Sequence, residues 1–183
     1  FVAALRELGI KPVLLAPTGR AAKVLSRYSD YEAHTIHKRI YRERSITDYE
    51  SKFSLDYNRE KGAIFIVDEA SMLSSSSAEG ATFGSGNLLD DLVEYVRSGK
   101  GCRLMLVGDD AQLPPVGDDF SPALDPSELR HYGSVAYATM NEGVRQSHDS
   151  GILFNATMLR CMLENRIYEI PRFDMSHPDF IRI

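Results

Sequence analysis

The chain has 183 residues, 43% of them apolar and 26% charged, with a formal net charge of -5 at pH 7. These are ordinary values for a soluble globular protein, with length for one domain and a sizeable core, or one domain plus part of a second. No apolar run approaches the roughly 20 residues that span a bilayer, and the acidic balance argues against bulk electrostatic binding to nucleic acid. Cys102 and Cys161 lie far apart and outside any metal-ligand spacing, which predicts free thiols in a reducing, cytoplasmic setting with no membrane partner.

Residues 1–9 alternate apolar and polar side chains at helical spacing, with Gly9 placed to end a helix. Arg6 and Glu7 follow closely on the apolar start and no basic leader precedes it, so the opening does not read as a signal peptide. It lacks Met, and the chain reads as cut at both ends. Pro12-Val13-Leu14-Leu15-Ala16 predicts a buried strand that stops at Pro17-Thr18-Gly19-Arg20. Residues 21–28 then predict a helix, completing half of a parallel α/β unit. The Thr18 hydroxyl and the N–H groups of a helix start make a phosphate-binding arrangement. An ordinary strand-to-helix turn accounts for the same residues.

Residues 33–41 predict a second short helix with Ile36 and Ile40 on one buried face. Thr35, His37 and Lys38 then offer donors to a nucleic-acid backbone. His34 and His37 have no third ligand nearby and do not make a metal site. Seven Lys or Arg lie between Arg20 and Arg44 against three acids, a local basic stripe that suits a phosphate track or a solvated helix face. Residues 43–61 predict a loop or small insertion.

Gly62-Ala63-Ile64-Phe65-Ile66-Val67 predicts a strand buried on both faces, as in a parallel sheet. Asp68 and Glu69 follow at its C-terminal end, where open α/β sheets bind ligands. Such a pair suits holding Mg²⁺ and orienting a water in nucleotide hydrolysis. It equally suits an acidic helix start, and these two residues alone leave both readings standing. Residues 74–86, rich in Ser and Gly, predict a mobile surface loop.

Residues 87–97 predict an amphipathic helix capped by Asn87 and stopped near Gly99. Residues 103–107 predict a third buried strand, ending at Gly108-Asp109-Asp110-Ala111-Gln112-Leu113-Pro114-Pro115-Val116-Gly117. If the strands are neighbours, Asp109 and Gln112 share a crevice with Asp68, and the two prolines stiffen the turn. Residues 118–130 predict loop and short helix, and 134–140 a further strand. Arg145, beyond it, is a candidate anion contact or an ordinary surface arginine. Residues 150–165 predict a helix with Ile152, Leu153, Ala156, Leu159 and Leu163 inward.

Five stretches thus stand in fixed order: Ala16 to Lys23, Thr35-Ile36-His37, Val67-Asp68-Glu69-Ala70-Ser71-Met72, Gly108 to Gly117, and Val144-Arg145-Gln146. Together they resemble the helicase motifs of superfamily 1, in particular the RecD-like branch (exonuclease V alpha subunit and relatives), over roughly residues 1–160. The resemblance implies an α/β, RecA-like P-loop NTPase fold with a mostly parallel sheet flanked by helices, truncated at the N-terminus. Residues 1–138 would form lobe 1 and 139–183 the start of lobe 2. It implies ATP and Mg²⁺ as cofactors and single-stranded DNA as partner, with other exonuclease subunits as further candidates. Asp68 would hold Mg²⁺ and Glu69 would orient the attacking water. Gln112 would sense the γ-phosphate, Arg145 would contact it from the second lobe, and Asp109 would lie at the nucleotide. Pro17, Thr18, Arg20, Thr35 and His37 would contact the DNA backbone. The sequence departs from the family in one respect: Gly-x-x-x-x-Gly-Lys-Ser/Thr, which cradles phosphates, does not occur. That absence predicts an inactive fragment whose missing loop lies upstream. The rival readings are another P-loop ATPase, such as a clamp loader, or a non-catalytic DNA-binding or scaffold module on the same fold.

Overall fold

The computed structural model describes residues 1–43, 53–75, 82–112, 114–115, 118–140 and 150–180. The chain divides into two compact units, Phe1–Val135 and Ala136–Ile183. The first unit is built on a four-stranded parallel sheet. Its strands are β1 (Pro12–Ala16), β2 (Ala33–Thr35), β5 (Ile64–Val67) and β6 (Arg103–Leu106), in the order β2-β1-β5-β6. Between β2 and β5 the chain forms a separate antiparallel pair, β3 (Tyr41–Glu43) with β4 (Phe53–Leu55). The helices of this unit are α1 (Val2–Glu7), α2 (Gly19–Ser29), α3 (Ile36–Ile40), α4 (Leu88–Ser98) and α5 (Pro126–Leu129).

Alternation along the central strands explains the layering. Val13, Leu15, Phe65 and Val67 point to one face, where they pack with Ile36 and Ile40 of α3 and Leu89, Leu92 and Val96 of α4. Leu14 and Ile66 point to the other face and pack with Leu5 of α1 and Leu25 of α2. Strands covered on both sides read as unbroken apolar runs, as Pro12–Ala16 and Ile64–Val67 do. The mixed α/β fold and its parallel sheet are therefore those the sequence implies.

Four local expectations are corrected. Residues 33–41 are not one helix: Ala33–Thr35 pairs with β1 in the register Leu14↔Ala33 to Ala16↔Thr35, and the helix begins only at Ile36. The open edge of β1 overrides local helical spacing, while Ile36 and Ile40 do share the buried face. Residues 53–55, expected in a loop, pair with β3, too short an element to leave a periodic signal. Strand β6 is only half-buried, because it lies at the edge of the sheet. Residues 134–140 form no strand and are exposed. Their apolar alternation finds no paired edge among the described residues, and unpaired backbone groups stay with water. The expected surface loop at 74–86 lies partly outside the described residues; within it, residues 82–84 bond to Phe53 of β4.

The second unit contains α6 (Gly151–Glu164), capped by the Ser150 hydroxyl, which accepts the Leu153 N–H at 3.2 Å. Asn155 is buried and grips the following segment: its Nδ2 donates to the Asp174 carbonyl at 2.9 Å and its Oδ1 accepts the Asp174 N–H at 2.8 Å. Gly151 and Asn155 are thus the buried positions, while Ile152, Ala156 and Leu163, expected inward, are exposed. The helix is apolar nearly all round, so its spacing does not select a face.

At the N-terminal end of the sheet, Glu60 joins two elements. Its carboxylate accepts from Lys11 Nζ at 2.7 and 2.8 Å and from Arg39 Nη2 of α3 at 2.6 Å. The Lys11 hydrogen bond first, then Arg39, holds the Glu60 carboxyl below the usual glutamate range despite its burial. A carboxyl with a lowered folded pKa stabilises fully above its unfolded value, about 4.3, and loses that contribution as pH falls through the folded value. Glu60→Ala is expected to cost on the order of 1–2 kcal/mol at pH 7, between exposed and buried pairs. The penalty should begin to shrink below the unfolded value, about 4.3, and approach zero only once the pH is below the lowered folded value, where wild-type Glu60 is also neutral, in denaturant titrations run across pH.

Candidate nucleotide and nucleic-acid edge

The C-terminal ends of the four parallel strands carry the candidate residues in spatial order. Thr35 ends β2, Pro17 and Thr18 follow β1, Asp68 and Glu69 follow β5, and Val107 to Gln112 follow β6. Register keeps these ends level: Ala16 pairs with Thr35, and Val67 with both Leu15 and Leu106. Strands lie about 4.8 Å apart. The hydroxyl residues thus occupy one half of the edge and the acidic residues the other.

On the acidic half, backbone hydrogen bonds carry the ladder past the strand ends. Asp68 N–H donates to the Leu15 carbonyl at 3.0 Å, Val107 N–H to Val67 at 2.8 Å, and Ala70 N–H to Val107 at 2.9 Å. Asp68 Oδ1 accepts the Glu69 N–H at 3.0 Å. Glu69 itself is left-handed (φ 56, ψ 38) and precedes a 3₁₀ turn, Ala70–Met72, without capping it through its side chain. Elsewhere, Asp30 adopts this conformation as the C-cap of α2, and Arg166 lies just beyond α6. Glu69 follows a strand and stands at the N-cap position of the 3₁₀ turn, its carbonyl accepting the Met72 N–H at 3.2 Å. A non-glycine left-handed residue costs roughly 1–2 kcal/mol, and such strain collects at functional sites. The acidic pair thus stands at the start of a 3₁₀ turn rather than an α-helix, and the Glu69 side chain makes no cap hydrogen bond to it.

The turn after β6 closes against this loop. A Cβ on Gly108 would lie 3.0 Å from Ser71 N and from Leu124 Cδ1, so a side chain there would crowd the loop backbone. The Ser121 hydroxyl donates to the Ser71 carbonyl at 3.0 Å. Asp109 organises its own turn: its Oδ1 accepts the Ala111 N–H at 3.1 Å and its carbonyl accepts the Gln112 N–H at 3.2 Å. Gln112 is exposed there. Pro115 is buried, whereas Leu113, Val116 and Gly117 of the expected rigid turn lie outside the described residues. Ser71 Oγ, two residues past Glu69, is buried without a hydrogen-bond partner, so polar capacity remains unspent beside the carboxylate loop.

On the hydroxyl half, each threonine caps a helix. Thr18 Oγ1 accepts the Ala21 N–H at 3.2 Å, and Thr35 Oγ1 accepts the Lys38 N–H at 3.2 Å. Each hydroxyl keeps its own O–H to donate outward. Arg20 is exposed in the first turn of α2, and Pro17 is half-buried. His37 is placed differently from its neighbours. It packs against Tyr41 and Phe83, with ring centroids at 5.6 and 5.1 Å, and burial lowers its pKa so that it is neutral at pH 7. Arg145 lies outside the described residues.

Sequence reading missed Asp91 and Tyr41. Asp91 is buried on the apolar face of α4, and Tyr41 O–H donates to its Oδ2 at 2.6 Å. Burial and that carboxylate push the Tyr41 hydroxyl well above its usual range. The available signal was an acid falling on the buried stripe of an amphipathic helix.

The donor set is compatible with Mg²⁺, which is held by one or two carboxylates and completes its octahedron with phosphate oxygens and water. Among the described residues no group of three or more His, Cys, Asp or Glu forms an all-protein cage. Asp68 is the carboxylate placed for such a site. The chain supplies no phosphate-cradling glycine loop beside it.

A doubly covered parallel sheet with an acidic pair at the C-terminal end of a central strand defines a RecA-like P-loop fold of the nucleotide-binding, nucleotide-hydrolysing class. Over residues 1–156 the sequence matches the family described as AAA domain. The chain belongs to that family, a P-loop family of helicase type. No curated protein matches it. Among the described residues no helix is long and apolar enough to cross a membrane.

Proposed function

We propose that the chain is part of a RecD-like superfamily 1 helicase that couples Mg-ATP hydrolysis to movement on single-stranded DNA in DNA repair or recombination. The observation that carries this reading is the Asp68–Glu69 pair at the end of β5, with Glu69 left-handed and its side chain making no cap hydrogen bond to the 3₁₀ turn that follows. Asp68 would hold Mg²⁺, directly or through water, and Glu69 would orient the attacking water. Bound Mg²⁺ supplies charge neutralisation at the phosphates. Gln112 and Arg145 would read the γ-phosphate, Arg145 from a second lobe beginning near residue 139. The 183 residues hold no phosphate-gripping glycine loop, so by themselves they would not turn ATP over. The free thiols of Cys102 and Cys161 suit a reducing, cytoplasmic setting.

The DNA half of the reading rests on two capping hydroxyls on adjacent strands beside the exposed Arg20. Contacts to phosphate carry no sequence information, so binding should be sequence-tolerant and salt-sensitive. Thr18→Ser and Thr35→Ser keep both cap and donor, and should keep affinity. Thr18→Val combined with Thr35→Val is expected to weaken binding to an oligo-dT strand about a hundredfold or more, from two lost hydrogen bonds to charged groups at roughly 1.5–3 kcal/mol each. Fluorescence anisotropy at several salt concentrations measures this. Unchanged affinity in the double valine variant moves the DNA path elsewhere, and no binding by the unmodified protein at low salt removes the helicase reading.

A further inference from the structure

The first turn of α4 touches two distant parts of the edge at once. Asn87 Oδ1 caps the helix by accepting the Asp90 N–H at 3.1 Å, while its Nδ2 donates to the Ser75 carbonyl at 2.8 Å. Ser75 closes the short run that leaves Glu69 through the 3₁₀ turn and the buried Leu73. One turn along α4, the buried Asp91 accepts from Tyr41 O–H at 2.6 Å and from the Ser85 N–H at 3.0 Å. Tyr41 is the residue that ends α3, the helix capped by Thr35 at its other end. The Tyr41 ring also packs on Phe83 at 5.4 Å, and Phe83 stacks on Phe53 at 4.6 Å. Gly84 has no room for a side chain, since its Cβ would overlap the Asp91 carboxylate. Hydrogen bonds and packed rings therefore link Ser75, which the chain reaches from Glu69 through the 3₁₀ turn, by way of α4 to the threonine-capped helix, without passing through Gln112.

We infer that Asn87, Asp91 and Tyr41 are positioning residues that couple the Asp68–Glu69 loop to the nucleic-acid grip of α3. The inference rests on the helicase reading above. Coupling requires that both ends bias one shared element, and the first turn of α4 is the element that both ends hold. Tyr41→Phe removes only the O–H and leaves the ring in its aromatic setting. Asn87→Ser keeps the helix cap but is too short to hold the Ser75 carbonyl. Asp91→Asn keeps an acceptor for Tyr41 and serves as the conservative rescue.

The test measures ATP turnover by the full-length protein without DNA and with saturating oligo-dT. Tyr41→Phe and Asn87→Ser should each leave basal turnover within about twofold and cut the stimulation by DNA about fivefold or more, while Asp91→Asn keeps most of it. Stimulation unchanged in both Tyr41→Phe and Asn87→Ser overturns the inference. Basal and stimulated rates that fall together also overturn it, since that is loss of folded protein rather than of coupling. Should Tyr41→Phe fail to fold, Asn87→Ser decides alone by the same criterion. The helicase reading is tested separately on the unmodified protein: no binding to oligo-dT at low salt and no stimulation of its turnover by DNA sink that reading whatever Tyr41 shows.

Discussion

Asp68→Asn in the full-length protein is expected to lower magnesium-dependent ATP turnover about a hundredfold or more. The variant keeps an oxygen to accept the Glu69 N–H, the bond that wild-type Asp68 Oδ1 makes at 3.0 Å, so the loop has no reason to unfold. What it loses is the negative charge that would hold the metal. Metal-centred charge stabilisation contributes several kcal/mol to phosphoryl transfer, and each ~1.4 kcal/mol is tenfold in rate. The magnesium concentration for half-maximal turnover should rise at the same time. A variant that turns over normally at ordinary magnesium would remove Asp68 from the metal site, even with the fold unchanged.

The second large effect falls on stability. Phe65 is fully buried in β5, on the face shared with α3 and α4, and meets Tyr95 edge-on with centroids 5.9 Å apart. Phe65→Ala leaves a cavity beneath the strand that ends in Asp68, and should cost about 3–5 kcal/mol. Tyr28, by contrast, is 87% exposed at the end of α2. Tyr28→Ala should stay within about 0.5 kcal/mol of wild type. Denaturant unfolding of the two variants side by side checks the pair. Equal costs would mean that the sheet is not the core that this fold requires.

How much of this was legible in the residues depends on element length and on range. Pro12–Ala16 and Ile64–Val67 could be read because both faces are covered, so every residue is apolar. Helix α4 could be read from its stripe and from Asn87, whose side chain does cap it. Strands of three residues, β2 and β4, carry too little pattern to stand out from turns. Residues 134–140 carry a strand pattern but have no paired edge among the described residues, and pairing is not a local property. The same holds for the site. Thr18, Thr35 and the acidic pair stand at punctuated strand ends, so their positions along the edge follow once the strands are known. The Tyr41–Asp91 bond joins residues 50 apart, and Gly108 reveals its role only when Ser71 and Leu124 are brought against it. His37 shows the converse: its spacing from Thr35 suggests a backbone donor, but the ring packs against Tyr41 and Phe83.

The central claim is that Glu69, held left-handed at the end of β5, orients the water that attacks the nucleotide. Single-turnover hydrolysis by Glu69→Gln in the full-length protein tests it most directly, with nucleotide binding measured on the same sample. Glutamine keeps the size and polarity of the side chain and removes the charge and the basicity. The account predicts hydrolysis slower by about 10²–10⁴, the usual contribution of a positioned general base, with nucleotide affinity within a few-fold of wild type. Hydrolysis at the wild-type rate, with affinity equally unchanged, would contradict it.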